Sequence, residues 1–166
     1  MNTAAFDFQL YSNSPIIEPQ IWSNRVEKYK NCFMIFDTGA YMTTISTRLF
    51  DTLNYQYAGE KITTVNSIGG SKNAKYAVIP DLKIGDFCFG PITALVVKFP
   101  ESMTSHAILG MNVIKNFDTS IIFDEESLTK GLIKMQPRFS LDEIKTADTF
   151  DYQYSRFGIW NINKNK

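Results

Sequence analysis

Short apolar segments separated by turn-forming residues run through this chain and restrict it mainly to β structure. Apolar and polar residues alternate across Phe6–Leu10, which is the two-residue period of a half-buried strand. Glycine and proline interrupt the later segments, as at Gly90-Pro91. Many short strands with almost no helical periodicity favour an all-β barrel or sandwich.

The predicted strands are apolar runs bounded by glycine, proline or polar turns. They are Phe6–Leu10, Ile16–Trp22, Cys32–Phe36, Ile62–Val65, Ala74–Ile79, Leu82–Ile84, Phe87–Phe89, Ile92–Phe99, Ala107–Leu109, Ser120–Phe123 and Leu132–Met135. The polar stretch Ser23–Asn31 is predicted to be a turn. Only Met111–Phe117 and, more weakly, Leu141–Ala147 have a helical pattern.

Composition narrows the possible functions. The 166 residues are enough for one domain, and 44% of them are hydrophobic, so the chain can bury a core. Lys+Arg and Asp+Glu both number 17, which predicts no basic face and no nucleic-acid partner. Two cysteines and one histidine are too few for a disulfide framework, a four-ligand zinc site or a Ser/His/Asp triad. We therefore predict no metal and no cofactor.

Cys32 and Cys88 lie within apolar runs, which predicts buried free thiols in a reducing compartment. The first residues, Met1–Ala5, lack the basic start and apolar run of a signal peptide. Since no apolar stretch has the length of a membrane span, we predict no membrane partner and a cytoplasmic location.

The sharpest chemical feature is Asp37-Thr38-Gly39, directly after the apolar run Phe33–Phe36. An aspartate at the end of a buried strand lies at the rim of a barrel and is partly desolvated. If a second carboxylate lies beside it, the two share a proton and can act as base and acid toward water and a peptide bond. The tripeptide alone is a weak signal, because aspartate and glycine are common in plain turns.

Three separated motifs together resemble the retropepsin family, meaning retroviral proteases and their single-domain cellular and bacterial relatives. They are Asp37-Thr38-Gly39 followed by Thr43-Thr44, the glycine-containing turn Ser67–Ser71, and Ile108-Leu109-Gly110 followed by Asn112. The resemblance spans about Ile16 to Met135. It implies an all-β, retropepsin-like closed β-barrel with one short helix and a flap hairpin.

The resemblance also implies roles for individual residues. Asp37 would be catalytic, Thr38 would lock the active-site loops of two subunits, and Gly39 would approach the substrate backbone. Structural support would come from Thr43, Gly110 and Asn112, with Asn112 hydrogen-bonded to Thr43. The candidate substrate-binding residues are Ala40, Thr44, Ile68, Gly69, Gly70, His106 and Ile108. Two readings stay open here: Gly69-Gly70 is either the flap tip or a surface turn, and His106 either faces the cleft or is a partly exposed loop residue.

A single Asp-Thr-Gly implies a homodimer, because each chain supplies one carboxylate and a two-fold axis must bring the second. Asp118-Thr119-Ser120 lacks the glycine, so Asp118 is predicted to be a turn or surface residue. Retroviral members typically have an acidic residue and an arginine at the positions of Tyr41 and Met111. An apolar contact in place of that ion pair is expected here.

Three segments are predicted: N-terminal strands at 1–31, a retropepsin-like core at 32–137, and an extension at 138–166 that packs on the barrel or the dimer interface. The expected function is an aspartic endopeptidase acting on a peptide or protein. One alternative is a catalytically silent dimer that binds peptides or mediates assembly. Another is an unrelated β-barrel, such as a carbohydrate-binding module. Asp37-Thr38-Gly39 argues against the silent dimer, because binding needs no partly buried carboxylate pair.

Overall fold

The computed structural model describes residues 3–11, 13–67 and 70–138. The strands within those ranges are β1 (Ala4–Tyr11), β2 (Ser14–Ile17), β3 (Gln20–Ser23), β4 (Lys28–Asn31), β5 (Met34–Phe36), β6 (Thr44–Ser46), β7 (Tyr57–Ser67), β8 (Gly70–Ile79), β9 (Leu82–Ile84), β10 (Phe87–Phe89), β11 (Ile92–Val97), β12 (Ala107–Leu109), β13 (Phe117–Phe123) and β14 (Lys130–Pro137). The helices are α1 (Thr47–Leu53) and α2 (Met111–Ile114). Within these ranges, neither helix has the length and apolarity to cross a membrane. The helix predicted at Leu141–Ala147, like nearly all of the 138–166 extension, lies outside the described residues.

The strands form two sheets. Ten of them pair in the order β13-β14-β1-β2-β5-β12-β6-β11-β8-β7, and four pair in the order β10-β9-β3-β4. In the described residues, no pairing joins the terminal strands β13 and β7, so the structure confirms the predicted mostly-β fold and shows no closed barrel there. Alternation of apolar residues identifies strands and their buried faces, but it carries no information on which edges pair.

One apolar core joins the two sheets. Ile21 of β3 and Leu82 of β9 come from the four-stranded sheet, and they share a buried cluster with Ile79 and Ile133 of the ten-stranded sheet. All four side chains are fully buried, and each such burial stabilises the fold by about 2 kcal/mol. The smaller sheet is therefore part of the same folding unit as the larger one.

The predicted strand Ile16–Trp22 is two strands in different sheets. β2 ends at Ile17 and pairs with β5, whereas β3 begins at Gln20 and pairs with β4 and β9. Pro19 separates them, because proline has no N–H to donate to a ladder. The predicted turn Ser23–Asn31 contains strand β4. This strand was not predicted, because its side chains are mostly exposed and polar.

Helix α1 was not predicted from the sequence. It begins after Ser46, whose Oγ accepts a hydrogen bond from the backbone N–H of Leu49 at 3.1 Å, and it ends at Asn54 in the left-handed conformation. Its only buried side chains are Phe50 and Leu53, too few to give a helical period in the sequence. Helix α2 is shorter than the predicted Met111–Phe117, because Phe117 already begins β13.

Arg25 completes the C-terminal end of α1 from outside the helix. Its Nε donates to the carbonyl oxygen of Thr52 and its Nη2 to that of Asp51, both at 3.0 Å. The last carbonyls of a helix have no partner within the helix and carry partial negative charge, so a guanidinium satisfies and stabilises them. The turn between β3 and β4 is thereby attached to α1.

The two cysteines differ in their surroundings. Cys32 is 1% exposed, as predicted, whereas Cys88 is only half-buried, and both are free thiols. Burial, with a smaller contribution from the negative charge of Glu18, raises the pKa of the Cys32 thiol to about 12. A buried thiol that stays protonated is a poor nucleophile.

We expect iodoacetamide at pH 8 to alkylate Cys88 in the native protein and to leave Cys32 unmodified, because the reagent needs an accessible thiolate. Peptide mapping by mass spectrometry would follow both sites over time. Unfolding in guanidinium should make both cysteines react at similar rates. Equal rates of alkylation without denaturant would contradict the packing around Cys32.

Candidate active site

The loop 37–43 carries the Asp-Thr-Gly motif and connects β5 to β6. Strand β12 lies between these two strands: Ile108 pairs in parallel with Ile35 of β5 and antiparallel with Thr44 of β6. A distant segment of the chain thus separates the strands that the loop joins. Both ends of the loop are fixed by the ladders of one central strand.

Asp37 is half-buried and follows the buried Phe36. Its backbone N–H donates to the carbonyl oxygen of Leu109 at 3.2 Å, which attaches the motif to β12. Its Oδ1 accepts a hydrogen bond from the backbone N–H of Gly39 at 2.8 Å. The N–H of Ala40 donates to the Asp37 carbonyl oxygen at 3.3 Å. These contacts fix both the position of the carboxylate and its direction.

Gly110 lies where the chain leaving β12 passes the end of the loop. A Cβ at this position would be 2.4 Å from the carbonyl carbon of Met42 and 2.6 Å from the backbone nitrogen of Thr43. Both atoms belong to the backbone and cannot rotate away. The N–H of Gly110 donates to Thr43 Oγ1 at 3.2 Å. Only glycine allows this close approach, because a side chain at this position would have no room.

Asn112 holds the far end of the loop. Its Oδ1 accepts hydrogen bonds from the backbone N–H of Thr43 at 2.7 Å and from Thr43 Oγ1 at 2.9 Å. The hydrogen bond predicted between these two residues is therefore present. The Nδ2 of Asn112 also donates to the carbonyl oxygen of Thr93 in β11 at 3.0 Å, a contact that was not predicted. One side chain connects α2, the loop and β11.

The first amides of α2 also point at the loop. The N–H of Met111 donates to the carbonyl oxygen of Ala40 at 2.8 Å, and the N–H of Asn112 donates to that of Tyr41 at 3.2 Å. N-terminal amides of a helix have no partner within the helix, so these bonds satisfy them. Tyr41 itself is 68% exposed.

The predicted substrate-binding residues in this part of the chain differ in burial and in their contacts. Ala40 and Ile108 are half-buried, and Thr44 is buried with its Oγ1 donating to the carbonyl oxygen of Met42 at 3.2 Å. The half-buried His106 has its ring 6.2 Å from that of Phe33.

Thr38 and Gly39 are exposed on the loop that carries Asp37. Asp118 is a surface residue, as predicted, but it lies on β13 rather than in a turn and pairs with Arg138 at 3.3 Å.

The predicted glycine turn Ser67–Ser71 includes the last residue of β7 and the first residues of β8. Ser67 pairs with Gly70 and Asn66 with Ser71 in the hairpin that these two strands form. Ile68 and Gly69 are outside the described residues. Gly70 has a positive φ of 101° and open space around it, so backbone conformation selects glycine there.

A second, smaller apolar cluster lies beside the loop 37–43 and was missed in the sequence. We call it the hairpin cluster; its members are Ala74, Tyr76, Leu95 and Val97, with Met42, Ala58, Val65 and Phe99 packed against them. The residues come from β7, β8, β11 and two loops, so no local periodicity relates them. Met42 connects the cluster directly to the loop 37–43.

Among the described residues, no group of three or more histidine, cysteine, aspartate or glutamate side chains is arranged to hold a metal ion.

A protein-family model described as aspartyl protease matches residues 25–113. This segment is more than half of the chain and contains Asp37, Gly110 and Asn112. The chain belongs to the aspartyl protease family. Its structure is similar to the crystal structure of a retropepsin-like aspartic protease from Rickettsia conorii, with a TM-score of 0.55 and 17% sequence identity over 80% of this chain and 92% of that one. No curated protein sequence matches.

These comparisons confirm the resemblance drawn from the three motifs and give the protein a retropepsin-like fold. They also exclude the alternative of an unrelated β-barrel in which Asp37-Thr38-Gly39 would be accidental.

We expect Gly110→Ala to lower the free energy of unfolding by about 3 kcal/mol, because the new Cβ meets immovable backbone atoms. Gly39→Ala is the matched control. Its Cβ would lie 3.1 Å from Asp37 Oδ1, the end of a side chain that can rotate, so the cost should stay below about 1 kcal/mol. Denaturant unfolding of both variants would give the comparison. Equal losses would show that the crossing at Gly110 is less tight than described.

Proposed function

We propose that this protein is an aspartic endopeptidase that cleaves peptide bonds with a water molecule held between two Asp37 carboxylates. The proposal rests on one observation: in this member of the aspartyl protease family, hydrogen bonds hold both the carboxylate and the backbone of Asp37 in place. Gly39 holds its carboxylate, and Leu109 holds its backbone.

The reaction needs only proton transfers between water, substrate and the carboxylate pair. Two adjacent carboxylates do not ionise together easily, so one keeps a proton. The ionised carboxylate takes a proton from the water as its oxygen attacks the peptide carbonyl carbon, and the other donates its proton to the carbonyl oxygen. The attack gives a tetrahedral diol. As its carbon–nitrogen bond breaks, the carboxyl that took the water proton donates it to the amide nitrogen, and the other carboxylate takes a proton from one diol hydroxyl, which restores the shared proton. The products are a carboxylic acid and an amine, and no covalent enzyme intermediate is formed.

The second carboxylate comes from a second copy of the chain in this proposal. One chain contains a single Asp-Thr-Gly, so a two-fold axis beside Asp37 is the simplest way to double it. Thr38 and Gly39 are exposed at the surface of one chain. The hydroxyl of Thr38 is therefore available to contact the same loop of a partner.

Strand β13 offers an edge for that partner. It ends the ten-stranded order, and in the described part of the chain only β14 pairs with it. Ile121, Ile122 and Phe123 are 43%, 46% and 50% exposed. An apolar edge strand with unpaired backbone groups is a template for another strand. In a two-fold dimer, β13 would pair antiparallel with the same strand of the partner.

The hairpin of β7 and β8 is the proposed flap. Gly70 begins β8 with room for a Cβ, and the two strands contribute Val65 and Tyr76 to the hairpin cluster, which Met42 of the loop 37–43 also contacts. A substrate peptide between this hairpin and Asp37 would be covered on one side and would meet backbone donors on the other.

We expect the protein at high concentration to cleave a diverse peptide mixture between mildly acidic and neutral pH, and we expect Asp37→Asn to abolish cleavage. The amide cannot take up a proton from water, yet it has nearly the same shape, so the fold and the dimer should persist. Mass spectrometry of the products and sedimentation of both proteins would measure this. A confirmed dimer that cleaves nothing would favour a catalytically silent module that binds peptides or mediates assembly.

We expect Ile122→Glu to shift the protein toward monomer, because a charge on the edge strand would be buried in the pairing of two β13 strands. Cleavage should fall in dilute protein and recover in part when the concentration is raised. Val26→Glu, at a residue 43% exposed in the turn between β3 and β4, is the matched control and should leave the dimer intact. If sedimentation shows Ile122→Glu to be as dimeric as the parent, the interface lies elsewhere.

A further inference from the structure

A surface groove lies between strand β8 and the segment that follows β11. Its volume is about 430 Å³, and it is lined by Lys72, Asn73, Val97, Lys98, Phe99 and Pro100. We propose that this groove binds an acidic side chain of the substrate, with glutamate preferred. The inference rests on the proposed function, since it assigns a specificity to the same cleft.

The groove and the loop 37–43 both contact the hairpin cluster. Val97 and Phe99 belong to the hairpin cluster, and Met42 packs against the same cluster. Along the ladder between β11 and β6, Leu95 pairs with Thr44, the residue just after the catalytic loop, and Val97 lies two residues further on. Two residues of strand extend about 7 Å. An extended peptide has the same spacing, so in this proposal a substrate side chain a few residues from the cleaved bond would reach the groove.

The charge of the groove is positive, because its described lining includes two lysines and no acidic side chain. Lys72 is half-buried and Lys98 is exposed, and the other lining residues are apolar apart from Asn73. In the part of the chain that the structure describes, neither ammonium group has an ion-pair or hydrogen-bond partner. Lys75 on the same strand differs, because its Nζ lies over the ring of Tyr57 at 4.8 Å. The two groove lysines are therefore open to a ligand.

The preferred occupant follows from the combination of apolar walls and cationic rim. Val97 and Phe99 provide apolar surface for methylene groups, and the lysine ammonium groups can reach a negative charge at the end of such a stem. Glutamate has both parts, whereas glutamine has the stem without the charge and lysine carries the wrong charge. The net charge of the whole chain is zero, so the preference would be local to the groove.

The test compares three peptide sets that differ only in Glu, Gln or Lys at each of the four positions on either side of the cleaved bond. At one position, we expect kcat/KM for the Glu peptide to exceed that for the Gln peptide by only about fivefold, because exposed ion pairs are individually weak. The Glu peptide should exceed the Lys peptide by a larger factor, because the lysine side chain would be repelled by Lys72 and Lys98. The ratio should decrease as salt is added.

The double variant Lys72→Glu/Lys98→Glu should reverse the order, so that the Lys peptide is cleaved faster than the Glu peptide. The matched control is Lys28→Glu/Lys30→Glu. Both lysines are exposed on β4 of the four-stranded sheet, and this double variant changes the net charge by the same amount. Thermal melts would verify folding. A control that reverses the preference equally would assign it to the charge of the whole molecule and overturn the groove.

The outcomes separate this inference from the proposed function. Equal cleavage of all three peptides by the parent would overturn the groove and leave the protease standing. If the parent cleaves none of them, fluorescence anisotropy would measure how tightly the labelled peptides bind to the same proteins. Tighter binding of the Glu peptide, lost in Lys72→Glu/Lys98→Glu, supports the groove even without catalysis. Absent or equal binding overturns it.

Discussion

The hydrogen bonds between Asn112 and Thr43 are the interaction on which the active-site arrangement depends. One side-chain oxygen accepts both the backbone N–H and the hydroxyl of Thr43, and the amide nitrogen reaches β11. Thr43 is fully buried, so an unsatisfied donor there would cost about 1–3 kcal/mol. Separating the loop that carries Asp37 from α2 would therefore cost much of this stabilising free energy. The Asp37 carboxylate is thus held by a rigid loop.

The approach at Gly110 makes those hydrogen bonds possible. Asn112 reaches Thr43 because the chain two residues earlier passes the backbone of Met42 with no side chain between them. Packing and hydrogen bonding thus depend on each other: the missing Cβ allows the distance, and the distance allows the bonds. A loop fixed in this way is suited to electrostatic work, because its groups need little reorganisation when charge moves.

The sequence predicted the parts of this arrangement that are local and missed those that depend on pairing. Asp37, Gly110 and Asn112 were identified because they lie in short motifs that together resemble the retropepsin family. β6 and α1 were missed, because a strand of three residues and a helix with two buried side chains leave no clear period. The described residues show no closed barrel, and the sequence could not decide this point, because edge pairing depends on contacts between distant strands. The hairpin cluster was missed for the same reason.

A catalytic centre divided between two identical chains has a consequence for the amount of active protein. In the proposed dimer, neither copy holds a complete carboxylate pair, so well below the dissociation constant the active species increases with the square of the protein concentration. Twice as much chain then gives about four times as much activity. A copy with a defective Asp37 would also disable each intact copy that it joins. In such an enzyme, the abundance of the chain would itself act as a threshold for activity.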